Sequence, residues 1–215
     1  MNSNNPKHNL IHFLNYYSKY YCRTFIECEN LFELQKGHFA LFNLLTLFEN
    51  ICKSKINDYE ITFNNLNIKL EKEGFISEAE LKFINDNEVG LRKIRNILAH
   101  ANLSKYDLEI NSEPITYPFT ENETCLKIYN DVSEIICEIL LKILSKEKEN
   151  SINIDDKIGK LNYRIITRKP EELMVFKGLD LKEEFDELDE SSKYRLLENS
   201  ENALILAEIF KGLKL

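Results

Sequence analysis

The chain has 215 residues, which is enough for one sizeable domain with an extension or for two small domains. Its apolar fraction of 43% and charged fraction of 30% are ordinary for a soluble globular protein. The sequence contains no apolar run of the roughly 20 residues that a membrane span needs, and its polar first residues do not resemble a signal peptide. We therefore expect a cytoplasmic protein with no membrane partner.

The net charge of −8 argues against a protein that coats nucleic acid, but the charges are unevenly distributed. Residues 171–190 contain nine acidic residues and two lysines, a net charge of −7. Residues 91–105 contain four basic residues and no acidic one, a net charge of +4. A locally positive segment is enough to hold a phosphate, so an acidic protein can still act on RNA.

The cysteines give no indication of a disulfide framework or of a metal site. There are five, which is an odd number, and none forms a C-x-x-C pair: Cys22, Cys28, Cys52, Cys125 and Cys137. We expect them to be reduced and to pack as small apolar side chains. We also expect no metal and no cofactor.

The N-terminal segment has a helical pattern. Apolar residues recur every three or four positions from His8 to Leu34, which predicts one long amphipathic helix, with any break near Cys28. Gly37 predicts the end of this helix. Residues 38–56 are apolar on most sides, as in a central, buried helix. For residues 59–70 the pattern leaves a strand, a helix and an ordered loop open.

The middle of the chain carries two helix-start signals. Ser77 with Glu80 forms a capping box, so a helix is predicted to about residue 84, followed by a break at 85–87 and a second helix over 88–103. Prolines predict a loop over 104–120. Thr120 with Glu123 is a second capping box, before a helix to about residue 146.

The C-terminal third has a different sequence pattern. A charged linker is predicted at 146–151, then a short hairpin within 152–167, and then helices over 173–215, the clearest within 203–213. The expected fold is all-α, an up-and-down bundle of about four or five helices over residues 1–150. A small, acidic, mixed but mainly helical appendage is expected over residues 151–215.

One helix carries residues that suit chemistry on RNA. On a helical wheel of residues 91–103, one face is apolar, and the other holds Arg92, Arg95, Asn96 and His100. A histidine can move a proton near neutral pH, and an arginine can bind a phosphate through its fork of donors. No metal is needed if the 2′-hydroxyl of RNA is the nucleophile. The wheel alone favours an ordinary solvated helix face.

The residues Arg95-Asn96-Ile97-Leu98-Ala99-His100-Ala101 resemble the signature of the HEPN superfamily. In that signature an arginine, commonly followed by asparagine, is separated from a histidine by about four to six intervening residues. The family is a helical bundle, and the resemblance extends over about residues 8–146, including an apolar helix with an acid, Glu49, before the motif.

The resemblance implies a metal-independent endoribonuclease, as in many family members from toxin–antitoxin and antiviral defence systems. It implies RNA as substrate, a homodimer in which two motifs form one composite site, and a cognate antitoxin or defence partner. When the family's roles are carried over to this sequence, the resemblance implies that His100 is the general base or acid and that Arg95 stabilises the phosphate. Asn96 would position His100 or the phosphate. Weaker candidates for substrate binding are Arg92, Glu49, Lys93 and Lys105.

Several alternatives remain open. Position 102 is Asn102, where members that pair with a minimal nucleotidyltransferase have a tyrosine, which argues against that pairing. The chain could instead be a non-catalytic HEPN module that binds RNA or nucleotide, or a structural dimerisation subunit. The tyrosines at 16–21 could stack bases, although packing or a dimer interface is the commoner use. The acidic stretch could be a solvated surface or a segment that covers the basic site.

Overall fold

The structure is a computed structural model that describes residues 5–100, 102–110, 115–145, 155–177 and 188–197. The described residues are mainly helical, with a small three-stranded sheet. The predicted mainly helical class is confirmed, but the sheet was not expected. The chain divides into two compact units, one of residues 1–103 and 107–166 and one of residues 104–106 and 167–215.

The first unit contains eight of the helices that the structure describes and the sheet. The helices are α1 (Pro6–Tyr17), α2 (Lys19–Glu33), α3 (Gly37–Ile56), α4 (Phe63–Lys72), α5 (Glu78–Asn85), α6 (Leu91–His100), α7 (Asn122–Ser145) and α8 (Asp155–Ile158). The strands are β1 (Tyr106–Ile110), β2 (Thr116–Pro118) and β3 (Tyr163–Thr167), in the order β2-β1-β3.

The predicted first helix is two helices, and the predicted break near Cys28 is wrong. The break lies at Ser18, whose backbone is extended and whose side chain accepts a hydrogen bond from the amide of Tyr21. Ser18 therefore caps the start of α2, as serine often does at helix N-termini. Cys28 is fully buried within α2.

Gly37 does not end a helix but begins α3. The chain reverses at Gln35, which adopts a left-handed conformation with φ of 58°. A β-carbon at residue 37 would meet the carbonyl oxygen of Asn122 and the amide nitrogen of Leu126, the latter at 2.9 Å. Glycine is required because α3 and α7 approach each other closely there.

The core of the first unit forms around α3, which packs against α7 and α2 and also contacts α6. Ten α3 residues are buried, as expected for a helix that is apolar on most sides. Each fully buried leucine or phenylalanine stabilises the fold by about 1.5–3 kcal/mol. The fully buried apolar side chains of α3 are Ala40, Leu41, Leu44, Leu45, Phe48, Ile51 and Cys52.

The capping box of α5 is confirmed, since Ser77 and Glu80 exchange side-chain and backbone hydrogen bonds. The predicted break follows α5, but α6 begins later than predicted. The carboxylate of Asp86 accepts hydrogen bonds from the amides of Glu88, at 2.7 Å, and Val89, at 2.9 Å. This local turn competes with helix formation and delays α6 to residue 91.

The loop predicted over residues 104–120 is wrong, because β1 and β2 form an antiparallel pair there, with Asp107 opposite Pro118. Pro118 is tolerated because β2 is an edge strand. The predicted hairpin within 152–167 is also wrong: β3 is a single strand that follows α8 and pairs with β1. For residues 59–70 a strand, a helix and a loop were left open. Residues 59–62 are irregular, and residues 63–70 belong to the helix α4.

A polar network joins three helices of the first unit. The hydroxyl of Tyr129 on α7 donates to Glu29 Oε1 of α2 at 2.6 Å, and Lys7 Nζ of α1 lies 2.9 Å from Glu29 Oε2. Burial and the carboxylate of Glu29 raise the pKa of Tyr129, so the hydroxyl keeps its proton and donates it. Helix α7 begins at Asn122, one residue later than a cap at Thr120 predicts.

The second unit has its own small core. Helix α9 (Pro170–Phe176) and the helical residues 190–197 bury Leu173, Met174 and Leu197 together. The predicted linker at 146–151 and the predicted last helix within 203–213 lie outside the described residues. Among the helices that the structure describes, none has the length and apolar character of a membrane span.

We predict that Gly37→Ala destabilises the protein by about 1–3 kcal/mol, because the new methyl group meets backbone atoms of α7 that cannot move independently. Urea unfolding would measure the change. The matched control is Glu27→Ala at an exposed helical position, which should change stability by less than about 0.5 kcal/mol. Equal stability of the two variants would contradict the close approach of α3 and α7.

All five cysteines are buried, and burial raises the pKa of Cys28 and Cys125 to about 12 and that of Cys52 and Cys137 as well. We predict that the native protein reacts slowly with a thiol reagent at pH 8 and that all five thiols react after unfolding. An unfolded thiol ionises near pH 8.5, so stability should fall as the pH rises above about 8.5. Rapid reaction of native thiols would contradict this burial.

Candidate functional site

Helix α6 positions the predicted catalytic residues. Its apolar face is buried through Leu91, Ile94 and Ile97, and the helix packs against α3 and α5. This amphipathic pattern fixes the rotation of α6 about its axis, because turning it would expose the isoleucines. The polar residues of the motif are therefore held on the remaining surface.

The central contact of the site joins Arg95 to Glu49. Arg95 Nη2 lies 2.9 Å from Glu49 Oε2, and Arg95 Nη1 donates to Asn96 Oδ1 at 3.2 Å. The side chain of Glu49 is only 7% exposed and that of Arg95 is 25% exposed. The guanidinium is thus held by a buried carboxylate, and the Arg95 side chain as a whole is partly exposed.

Lys53 completes the cluster and was not predicted from the sequence. Its Nζ lies 2.9 Å from Glu49 Oε1, so each oxygen of the carboxylate has a cation beside it. The signal that could have identified Lys53 is its position four residues after Glu49, on the same side of α3. We call Glu49, Lys53, Arg95 and Asn96 the Arg95 cluster. Two cations and one carboxylate leave it with one net positive charge.

His100 lies at the C-terminal end of α6 and is exposed. It is four residues after Asn96, so these two residues are neighbours on the helix surface. At about 100° per residue, His100 lies about 140° around the helix from Arg95. Its side chain is open to solvent.

The weaker candidates divide into three cases. Arg92 donates from Nη2 to Asn87 Oδ1 at 2.9 Å, which ties it to the turn before α6. Lys93 is half-buried on α6. Lys105 belongs to the second unit, where its Nζ lies 4.7 Å from the centre of the Tyr194 ring. Of the predicted residues, the structure brings Arg95, Asn96 and Glu49 into direct contact.

The two cavities along α7 in the first unit are separate from this cluster. One has a volume of about 400 Å³ and lies between α7, α8 and the start of β3, near Asp131 and Tyr163. The other, of about 440 Å³, is lined by residues of α2 and α7, including Phe32. Neither of these two cavities is lined by Arg95, Asn96 or His100.

The comparisons with known proteins give no family or relative. No protein-family model matches the chain, and no match was found among curated proteins or among solved structures. Within the described ranges, no group of three or more histidine, cysteine, aspartate or glutamate side chains could hold a metal ion.

We predict that Glu49→Gln destabilises the protein by about 1–3 kcal/mol, because an amide at this buried position must turn its NH₂ group toward Lys53 or Arg95. Urea unfolding would measure the loss. Glu27→Gln, at an exposed position of α2, is the matched control and should behave as wild type. Wild-type stability of Glu49→Gln would show that the carboxylate does not hold the cluster.

Proposed function

We propose that the chain is a metal-independent endoribonuclease of the HEPN type. The observation that carries this proposal is the 2.9 Å contact between Arg95 and buried Glu49, with His100 exposed on α6 one helical turn after Asn96. A pre-positioned cation and a histidine that can transfer a proton are what cleavage of a phosphodiester by the neighbouring 2′-hydroxyl requires. The motif itself supplies the family assignment.

The proposed reaction is an internal transesterification. His100 takes the proton from the 2′-hydroxyl, and the 2′-oxygen forms a bond to phosphorus as the bond from phosphorus to the 5′-oxygen breaks. The leaving 5′-oxygen receives a proton from a second imidazole, which is the His100 of a second copy in a composite dimer site. The products are a 2′,3′-cyclic phosphate and a 5′-hydroxyl.

The Arg95 cluster supplies charge stabilisation in this reaction. Negative charge builds on the phosphoryl oxygens in the transition state, and the exposed part of the Arg95 guanidinium would donate to one of them. Since Glu49 and Asn96 already hold the guanidinium, little reorganisation is needed at the moment of reaction. Glu49 is thus a positioning residue rather than a substrate-binding one.

The proposed setting is a cytoplasmic toxin or effector of a bacterial defence or toxin–antitoxin system. Such an enzyme must be restrained until it is needed, so a cognate antitoxin or defence partner belongs to the proposal. The acidic stretch at 171–190 is one segment that could restrain it. Half of this stretch lies outside the described residues, and its role stays a prediction.

A second candidate function is a non-catalytic RNA-binding or dimerisation module. The observation that favours it is the same ion pair, because an arginine whose side chain is only 25% exposed and already paired can serve stability alone. In that case RNA would bind without being cut. Both functions would use the same surface. Cleavage of bound RNA distinguishes the ribonuclease from the binding module.

We predict that purified protein cleaves a mixed RNA pool in EDTA and that His100→Ala lowers the rate by at least about 100-fold. Arg95→Ala should lower it by a similar factor, because it removes the stabilising cation. The matched control is His8→Ala, an exposed histidine in the first turn of α1. Gel analysis of labelled RNA would measure the rates.

Cleavage by His100→Ala at the wild-type rate would overturn the proposed mechanism. If wild type and variant are both folded and neither cuts RNA that they bind, the non-catalytic module is the correct function.

A further inference from the structure

The first unit carries a surface of five tyrosines where α1 meets α2. We call Tyr16, Tyr17, Tyr20, Tyr21 and Tyr59 the tyrosine surface. Tyr16 is 80% exposed, Tyr20 is 69% exposed and Tyr59 is 57% exposed. Large aromatic side chains that cluster in the open indicate a binding surface, since a single exposed ring needs no explanation but a group does.

The inner rings of this surface are fixed. Tyr17 and Tyr21 stack with ring centres 6.4 Å apart and planes at 17°. The hydroxyl of Tyr17 lies 3.3 Å from Ser54 Oγ, and the hydroxyl of Tyr21 donates to the carbonyl of Asn50 at 3.4 Å. Tyr20 lies beside Tyr21, with ring centres 5.5 Å apart, whereas Tyr16 lies beside His12, with ring centres 5.3 Å apart. The platform is thus formed before any ligand arrives.

The tyrosine surface adjoins the Arg95 cluster through α3. Asn50 and Ser54, which anchor the tyrosines, each follow a cluster residue, Glu49 or Lys53, by one position. At about 100° per residue, these four α3 positions lie within an arc of about 140°. The aromatic rings and the Arg95 cluster therefore border the same side of α3 in the same unit.

The charge around the tyrosines identifies the kind of partner. Residues 1–26, which include four of the five tyrosines, contain no acidic residue, although the whole chain has a net charge of −8. Asp58 and Glu60 flank the fifth tyrosine, Tyr59, so the basic part of the surface is the part on α1 and α2. Lys19 and Arg23 are exposed on α2, next to Tyr20. A second copy that docked through the same face would bring like charges together. An anionic partner with flat aromatic groups fits the surface better.

We propose that the tyrosine surface binds unpaired bases of single-stranded RNA and leads the strand to the Arg95 cluster. Bases would stack on Tyr16 and Tyr20, and phosphates would lie near Lys19 and Arg23. Duplex RNA is excluded as a ligand here because its bases are already stacked in the helix. This inference names the RNA class for the proposed ribonuclease, and it therefore rests on that proposed function.

The test is binding of a fluorescein-labelled oligouridylate of about ten nucleotides, measured in the His100→Ala background so that no cleavage occurs. The double variant Tyr16→Ala with Tyr20→Ala should weaken binding by at least about tenfold, since each base stacked on a ring contributes to affinity. Tyr16→Phe with Tyr20→Phe keeps the rings and should bind as well as the background protein. Phe39→Ala, which removes an exposed ring at the other end of α3, is the matched control.

Unchanged affinity in the double alanine variant would overturn the inference, as would equal loss in the phenylalanine variant or no RNA binding at all. A dimer that dissociates in the double alanine variant, with unchanged RNA affinity of the monomer, would assign the surface to self-association instead. The two proposals fail separately. Cleavage with unaltered KM in the tyrosine variants removes only this inference, whereas tyrosine-dependent binding without cleavage removes only the catalytic proposal.

Discussion

The buried carboxylate of Glu49 is the constraint on which the candidate site depends. A charged group within an apolar helix is costly unless cations reach it, and Lys53 and Arg95 both do. Arg95 reaches Glu49 because Ile94 and Ile97 bury the opposite face of α6. The packing of α6 therefore also places the guanidinium of Arg95. The ion pair with Glu49 holds this cation in position without a ligand.

This arrangement explains how an acidic protein can present a local site for an anion. The Arg95 cluster has a net positive charge, and the surface around Tyr20 adds exposed cations on α2. A phosphodiester substrate would need a charge at the scissile phosphate and contacts along the strand. Under the two proposals, the Arg95 cluster would supply the first and the tyrosine surface the second.

The mainly helical class and the amphipathic α6 could be predicted because both follow from residue periodicity. The strand β2 could not, since Pro118 usually signals a loop and is allowed in this case only by the edge position of the strand. Gly37 was misread for a similar reason: its cause is the approach of α7, which is distant in sequence. In the site, the motif identified Arg95, but Lys53 became evident only from the two cations around one carboxylate.

The central claim is that the 2′-hydroxyl of RNA is the nucleophile and that His100 removes its proton. The most direct measurement is cleavage of an oligonucleotide at a mapped site, compared with the same oligonucleotide that has one 2′-deoxy sugar at that site. The account predicts that the single deoxy substitution abolishes cutting there and that the normal product ends in a 2′,3′-cyclic phosphate. Cutting of the deoxy substrate at an equal rate would contradict the account, because no 2′-oxygen would be present to attack.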